Sequence, residues 1–314
     1  MSASEPLDIK NYIGLTGDTP IRFIASDVDG TLVNDAKSVD PEVVNAVRAA
    51  RESGIRVAIA SGRAWHEMDD VIDAMPCLRY FVCTNGAYVM DKEEQKELVH
   101  ISFDKTRAID LVRKLMTYGV FVEAYVKAEI FGQYPVVGNE TAQAEHFFRP
   151  NIRPFILKTR TMVPDLLAHL ESLPEGPEKI QIFYGDERIR ERILANLRDE
   201  FQGVAVDGKG RERFYDVLES SEGNLEFVLP HTTKGTAVEA LANHWGYTPD
   251  EVMTIGDSEN DLSMIRFAGA SVAMGNARDN VKATARYETT DNNHYGVARA
   301  LYSAIAYNRE LGNK

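Results

Sequence analysis

Phe23-Ile24-Ala25-Ser26-Asp27-Val28-Asp29-Gly30-Thr31-Leu32 is the stretch on which the reading of this chain turns. An apolar run that reads as a buried strand discharges two carboxylates, two residues apart, into a glycine turn. Strand side chains alternate with period two, so a strand that persists to Asp29 presents Asp27 and Asp29 on one face. Open α/β folds bind ligands at the carboxyl edge of the sheet, where these acids would stand. Asp-Gly followed by Thr is also an ordinary turn. The rest of the chain has to decide between a turn and a site.

The chain has 314 residues, ample for two domains. Its 44% hydrophobic and 26% charged residues are those of a globular protein rather than a disordered or fibrous one. A formal net charge of −13 disfavours nucleic acid and anionic membrane as partners, since both recruit clustered cations. An acidic chain that handles an anionic substrate needs local positive charge, from a metal or from a few placed Lys and Arg. Cys77 and Cys83 form no zinc pattern with the seven histidines and read as small buried thiols in a reducing compartment. Residues 1–20 lack the basic start and apolar core of a signal peptide, and no run reaches the roughly 18 apolar residues of a membrane span. A cytoplasmic location is expected.

Around the opening stretch the pattern alternates. Asp40-Pro41-Glu42 starts a helix with a cap, a first-turn proline and an acid, and Gly54 ends it. The apolar strand 55–60 exits at Ser61-Gly62-Arg63, and the strand 80–83 exits at Thr84-Asn85-Gly86. The same rhythm returns after His231. A helix capped at Thr232 or Thr233 carries Lys234 in its first turn, the strand 252–255 exits at Gly256-Asp257-Ser258-Glu259-Asn260-Asp261, and the strand 271–274 exits at Gly275-Asn276. Strand–helix alternation of this kind predicts a parallel sheet with helices on both faces. Between about Ala87 and Pro230 the rhythm breaks into a hairpin, helices and further strands (among them 203–206), which predicts an inserted α+β domain with an antiparallel sheet. Residues 132–160 show no regular pattern.

Four strand or helix ends thus offer polar groups to one crevice. Two carboxylates about 4 Å apart repel by roughly 4 kcal/mol at an effective dielectric near 20, and one would stay protonated without help. Mg²⁺ suits such a site because it takes hard oxygen ligands and leaves room for water and phosphate. Phosphoryl transfer is the chemistry that fits. Asp27 would be the nucleophile and Asp29 the acid/base. Ser61, the Gly62 amide and Lys234 would hold phosphate oxygens. Asp257 would ligate the metal, with Asn260 orienting phosphate and Asp261 behind it. Each piece has a plain alternative: Ser61-Gly62-Arg63 also fits a helix cap, Lys234 a solvated residue, 256–261 an N-cap with an acidic first turn, and Arg63 a surface ion pair.

Taken together, Asp27-Val28-Asp29-Gly30-Thr31-Leu32, Ser61-Gly62-Arg63, Thr84-Asn85-Gly86-Ala87, Lys234-Gly235, Gly256-Asp257-Ser258-Glu259-Asn260-Asp261, Ala273-Met274-Gly275-Asn276-Ala277 and Gly296-Val297 resemble the haloacid dehalogenase superfamily. The branch they resemble is the Cof-type phosphatases with a large type IIB cap. The resemblance implies a Rossmann-like core, Mg²⁺, an aspartyl-phosphate intermediate and a small phosphorylated metabolite, with the backbone oxygen of Asp29 as a further metal ligand. The organisation expected is an N-terminal extension at 1–20, the core at 21–87 and 231–314, and the inserted cap at 88–230. A phosphatase acting on sugar phosphates is the leading reading. A sugar phosphomutase and a catalytically silent sugar-phosphate sensor are the rivals, and dehalogenation fits less well because Asp29 matches a phosphate leaving group. Nothing in the pattern names the metabolite or the oligomeric state.

Overall fold

A computed structural model describes residues 7–127, 129–137, 140–141, 144–201, 214–219 and 223–312. The strand expected at 203–206 lies outside these. The chain forms two units, one made of residues 1–63, 68–99 and 233–314, the other of 64–67 and 100–232.

The first unit is built on an eight-stranded sheet in the order Tyr287–Glu288, Ala270–Ala273, Val252–Gly256, Phe23–Ser26, Arg56–Ala60, Tyr80–Cys83, Tyr88–Asp91, Lys96–His100. The strands from Tyr287–Glu288 to Tyr80–Cys83 are parallel. Phe23–Ser26 is buried at every residue, as an apolar strand covered on both faces must be. The chain leaves it towards Arg56–Ala60 on one side and returns through Val252–Gly256 on the other. The crevice where strand order reverses therefore opens between Asp27 and Asp257. Register fixes the level: Ser26 lies opposite both Ile59 and Ile255, so the three exits carrying Asp27, Ser61 and Asp257 leave the sheet together.

The helices follow their sequence signals. Pro41–Glu52 is capped by the Asp40 side chain, which accepts from the Glu42 amide, and it buries Val43, Ala46, Val47 and Ala50 at helical spacing. Lys234–His244 begins with a capping box in which Thr233 and Thr236 satisfy each other's amides. Trp245 closes this layer, with Phe23 packed edge-on at 5.0 Å and Tyr80 at 4.7 Å. Residues 7–20 lie along the helices Pro41–Glu52 and Gly296–Gly312: the Leu7 amide donates to Glu42, the Ile13 amide donates to Ser303, and Leu15 is buried.

One boundary moves. The hairpin Tyr88–Asp91 and Lys96–His100, expected in the inserted domain, extends the first unit's sheet, and the insertion begins at residue 100. Tyr88–Asp91 pairs antiparallel along Tyr80–Cys83, so the hairpin covers what would otherwise be an open edge.

The second unit has a six-stranded sheet in the order Thr161–Met162, Glu129–Gln133, Phe121–Val126, Lys179–Phe183, Asn224–Val228, Asp216–Leu218. Its residues alternate with period two. Val122, Ala124, Ile180, Ile182, Leu225 and Phe227 join the helices Lys105–Met116, Leu166–Ser172 and Glu187–Phe201 in one apolar cluster. Glu123, Tyr125, Lys179, Gln181 and Glu226, also buried, occupy the alternate positions. The stretch without pattern holds the end of the strand Glu129–Gln133 and the helix Arg153–Thr159. Gly132 hides that strand from sequence, because a Cβ there would lie 2.5 Å from the Phe121 ring.

Phe23→Ala removes a wholly buried ring from the first unit's core. It is expected to lower stability by about 3–5 kcal/mol, read as a shift in the denaturation midpoint. A change near zero would contradict the packing described.

Candidate active site

Lys234 is the first residue of its helix, and its side chain is only 1% exposed. Its Nζ donates to Asp27 Oδ1 at 2.5 Å and to Asp261 Oδ1 at 2.7 Å. A cation at a helix start is disfavoured by the macrodipole, so what holds it there is the pair of buried carboxylates. Asp261 is held in turn. Its Oδ2 accepts from the backbone amides of Asp257 and Ser258, both at 3.0 Å. Gly256 permits this closeness, since a Cβ there would meet the Asp261 carboxylate at 2.7 Å.

The electrostatics follow from burial. Desolvation and the neighbouring Asp261 carboxylate push the Asp27 carboxyl up to about 8 against the pull of Lys234. Burial alone would lower Lys234, but Asp261 and Asp27 hold its ammonium above the ordinary lysine range. Asp257 is raised as well, by burial and then by Asp261. Three acids around one lysine leave a surplus of negative charge that a further cation would offset.

The residues fit such a cation. Asp27, Asp257 and Asp261 each offer an oxygen within 4.8 Å of the others. Both Asp261 oxygens are already engaged, by Lys234 and by the two amides, so Asp261 supports the site rather than opening it. Asp27 Oδ2 is buried and has no hydrogen-bond partner among the described residues. Asp257 takes a hydrogen bond from Thr31 Oγ1 at 3.3 Å. Gly30, at φ +79°, shapes the floor: a Cβ there would fall 2.6 Å from Asp257 Oδ2. An all-oxygen donor set suits a hard divalent cation.

Asp29 stands apart from this cluster. Its side chain is 43% exposed and grips Arg63 in a two-point fork, Nε to Oδ2 at 2.8 Å and Nη2 to Oδ1 at 2.6 Å, with Lys37 at 3.3 Å. Burial alone would raise its carboxyl, but Arg63 and then Lys37 bring it below the usual carboxylate range. Arg63 thus makes an ion pair, as its plain alternative in the sequence had it, though its side chain is only 17% exposed.

Ser61 is buried, and its Oγ accepts from the Arg63 amide at 3.1 Å, so the helix-cap alternative also holds part of the truth. Gly62 leaves room for Asn85, whose side chain would lie 3.1 Å from a Cβ at that position. Asn260, exposed, points its amide nitrogen at Asn85 Oδ1 at 3.4 Å and accepts from Ser258 Oγ at 2.7 Å. Thr84 and Asn85 both have positive φ, 51° and 53°, a conformation held by amide bonds from Thr84 to the Arg63 carbonyl and from Asn85 to the Ser61 carbonyl. Thr31, Asn85 and Asn276, whose side chain donates to the Gly30 carbonyl at 2.7 Å, received no role from the sequence. Their signal was present: each lies in or beside a strand-exit turn.

Comparison with known proteins matches residues 24–301 to the family model of haloacid dehalogenase-like hydrolases. The chain is 30% identical over 290 residues to phosphatase YwpJ of Bacillus subtilis, covering 90% of this chain and 99% of that protein. It is 28% identical over 287 residues to the 5-amino-6-(5-phospho-D-ribitylamino)uracil phosphatase YcsE of the same organism, covering 90% and 96%. A solved haloacid dehalogenase-like hydrolase from Bacteroides thetaiotaomicron superposes with a TM-score of 0.74 at 27% identity, over 90% of this chain and 98% of that one.

The raised Asp27 carboxyl has a stability consequence. Its folded value, about 8, lies above the ordinary 3.8, so across that window the native chain holds a proton that the unfolded chain releases. Stability then falls as pH rises. Asn at position 27 has no such proton. With chelator present, Asp27→Asn is expected to gain in melting temperature over the wild type from about pH 5 to about pH 8. A difference that does not move with pH would contradict the raised carboxyl.

Proposed function

The chain belongs to the haloacid dehalogenase-like hydrolase family, as a Cof-type phosphatase with a type IIB cap, and we propose that it is a Mg²⁺-dependent hydrolase of small phosphate monoesters, sugar phosphates foremost. The observation that carries this reading is the Asp27 carboxyl group: buried, oriented through one oxygen by Lys234, and with the other oxygen unpartnered among the described residues at the sheet's carboxyl edge. A nucleophile has to be held in one direction and left open at the reacting end.

In the first step an Asp27 oxygen attacks phosphorus, the phosphorus–ester oxygen bond breaks, and Asp29 gives a proton to the departing alkoxide. In the second, Asp29 takes a proton from water, whose oxygen attacks the same phosphorus; the bond to Asp27 breaks and inorganic phosphate leaves. Asp29 starts ionised against Arg63. An arriving phosphate dianion raises it by like-charge repulsion and so favours the protonated form the first step needs. Ser61, the Gly62 amide and Lys234 would receive the phosphoryl oxygens, with Asn260 at the rim. Asp27, Asp257 and the backbone oxygen of Asp29 would hold Mg²⁺. When bound, the ion offsets the repulsion between carboxylates and draws charge from the phosphoryl oxygens.

The substrate class draws its support from the relatives. YcsE is named for a phosphate ester on a ribityl chain, which is a polyol monophosphate. The acidic charge balance supports a small anionic metabolite rather than nucleic acid, and no helix among the described residues is long and apolar enough to cross a membrane.

Asp27→Asn is expected to lower Mg²⁺-supported turnover of p-nitrophenyl phosphate at least about 1,000-fold while the circular dichroism spectrum is kept. Substantial residual turnover would remove Asp27 from the nucleophile's role. Phosphate release from a sugar-phosphate panel without a bisphosphate activator is expected, and dependence on that activator would favour the mutase.

A further inference from the structure

Beyond the Gly30 turn the first unit builds a tight hairpin over residues 33–39. Val33 pairs antiparallel with Val39. The turn between them closes through the Asn34 amide on the Ser38 carbonyl at 3.0 Å and the Lys37 amide on the Asn34 carbonyl at 2.9 Å. The Asn34 side chain braces it, accepting from the Ser38 amide at 3.1 Å and the Ser38 hydroxyl at 3.0 Å. A second stretch of the same unit ties the turn down. Asn292, itself buried, donates from its side-chain nitrogen to the Val33 carbonyl and to Asp35 Oδ1, both at 3.1 Å, and Asn293 donates to Asp35 Oδ2 at 3.0 Å. The Asn292 backbone amide donates to Asn276 Oδ1 at 3.1 Å, and Asn276 holds the Gly30 carbonyl. One network therefore sets both the hairpin and the floor of the site.

Lys37 stands in this turn at φ +58°, a left-handed conformation that Gly, Asn and Asp adopt at least cost. A turn that had only to close would be better served by one of those residues. What a lysine adds is its ammonium, and the hairpin delivers that to the site. Nζ lies 3.3 Å from Asp29 Oδ1 while the side chain stays 65% exposed. Asp29 does not need this cation for its direction, because Arg63 already takes both carboxylate oxygens. An ammonium has three donors, and among the described residues Asp29 accepts the one hydrogen bond that Lys37 makes from it. The rest face solvent on the Asp29 side of the site.

We propose that Lys37 is a specificity residue that recognises a second anionic group, a carboxylate or another phosphate, carried by the departing alcohol. The inference rests on the proposed role of Asp29 as proton donor. That role puts the ester oxygen beside Asp29, and so brings the substituents of the leaving alcohol within reach of the Lys37 ammonium. Among small phosphate monoesters the preferred members are then those of sugar acids and other hydroxy acids, or bisphosphates, over those of neutral polyols.

The test uses the full chain with Mg²⁺ and two pairs of esters. Glycerate 3-phosphate carries a carboxylate where glycerol 3-phosphate has a hydroxymethyl group, and fructose 1,6-bisphosphate carries a phosphate that fructose 6-phosphate lacks. The wild type is expected to favour the more anionic member of at least one pair by about tenfold or more in kcat/KM, and the pair that shows it identifies the anion read. Lys37→Met is expected to cut that preference at least about fivefold, through KM of the more anionic ester. An effect passed on through Asp29 touches both members of a pair and cancels in the ratio. Lys37→Gly, which relieves the left-handed backbone, is expected to melt no lower than the wild type and to lose the preference equally. Lys37→Arg, which keeps the charge, is expected to retain it. No preference in either pair, or a preference that survives both Lys37→Met and Lys37→Gly, would overturn the inference. Failure of the underlying reading looks different. A wild type inert to all of these esters overturns the proposed function, and an Asp29→Asn variant as fast as the wild type on glycerol 3-phosphate overturns the proton-donor role; either takes the inference with it.

Discussion

The Lys234 ammonium, buried between Asp27 and Asp261, is the interaction on which the rest of the site depends. Removing one partner of such a network leaves an uncompensated charge out of water, which costs about 3–5 kcal/mol. Several distant stretches must therefore meet in one register. Lys234 reaches the crevice because Gly235 lets its helix start press against Ser263, where a Cβ would lie 2.5 Å from the backbone carbon. Asp261 is placed by two amides of the turn after Val252–Gly256, and Asp27 by its own amide bonding to the Ile255 carbonyl at 2.9 Å. The parallel sheet brings these ends together, and the triad's charge then creates the demand for a cation beside Asp27.

Most of this was legible in the sequence because strand exits announce themselves. An apolar run followed by Asp-x-Asp-Gly or Gly-Asp places a carboxylate at a sheet edge whatever the rest of the chain does. The direction of Asp29 was not legible. Its fork with Arg63 depends on how the turns 28–32 and 61–63 face each other, which neither turn encodes alone. Nor was the allegiance of the hairpin Tyr88–His100: alternation announces pairing, but the sheet edge that receives it is decided by Tyr80–Cys83. The pairing of Glu67 with Arg160 left no local trace, since the two lie far apart along the chain.

The second unit shows the same limit from the other side. Period-two alternation correctly signals a sheet with one apolar face, and it invites the expectation that the other face is wet. Here that face is buried and satisfied internally: Lys179 lies over the Tyr125 ring at 4.0 Å and 3.5 Å from Glu226, while Tyr125 bridges Glu123 and Gln181. Fully partnered polar groups in a dry place are rigid.

The oxygen of Asp27 left open beside the Lys234 pair is the atom proposed to attack phosphorus. The most direct measurement is acid quench of the enzyme during turnover of p-nitrophenyl phosphate with Mg²⁺, borohydride reduction of the quenched chain, and peptide mass spectrometry. An acyl phosphate is reduced where a free carboxylate is not, so the expected result is conversion of Asp27, and no other acid, to homoserine. Steady turnover with Asp27 unmodified, or reduction at a different carboxylate, would contradict it.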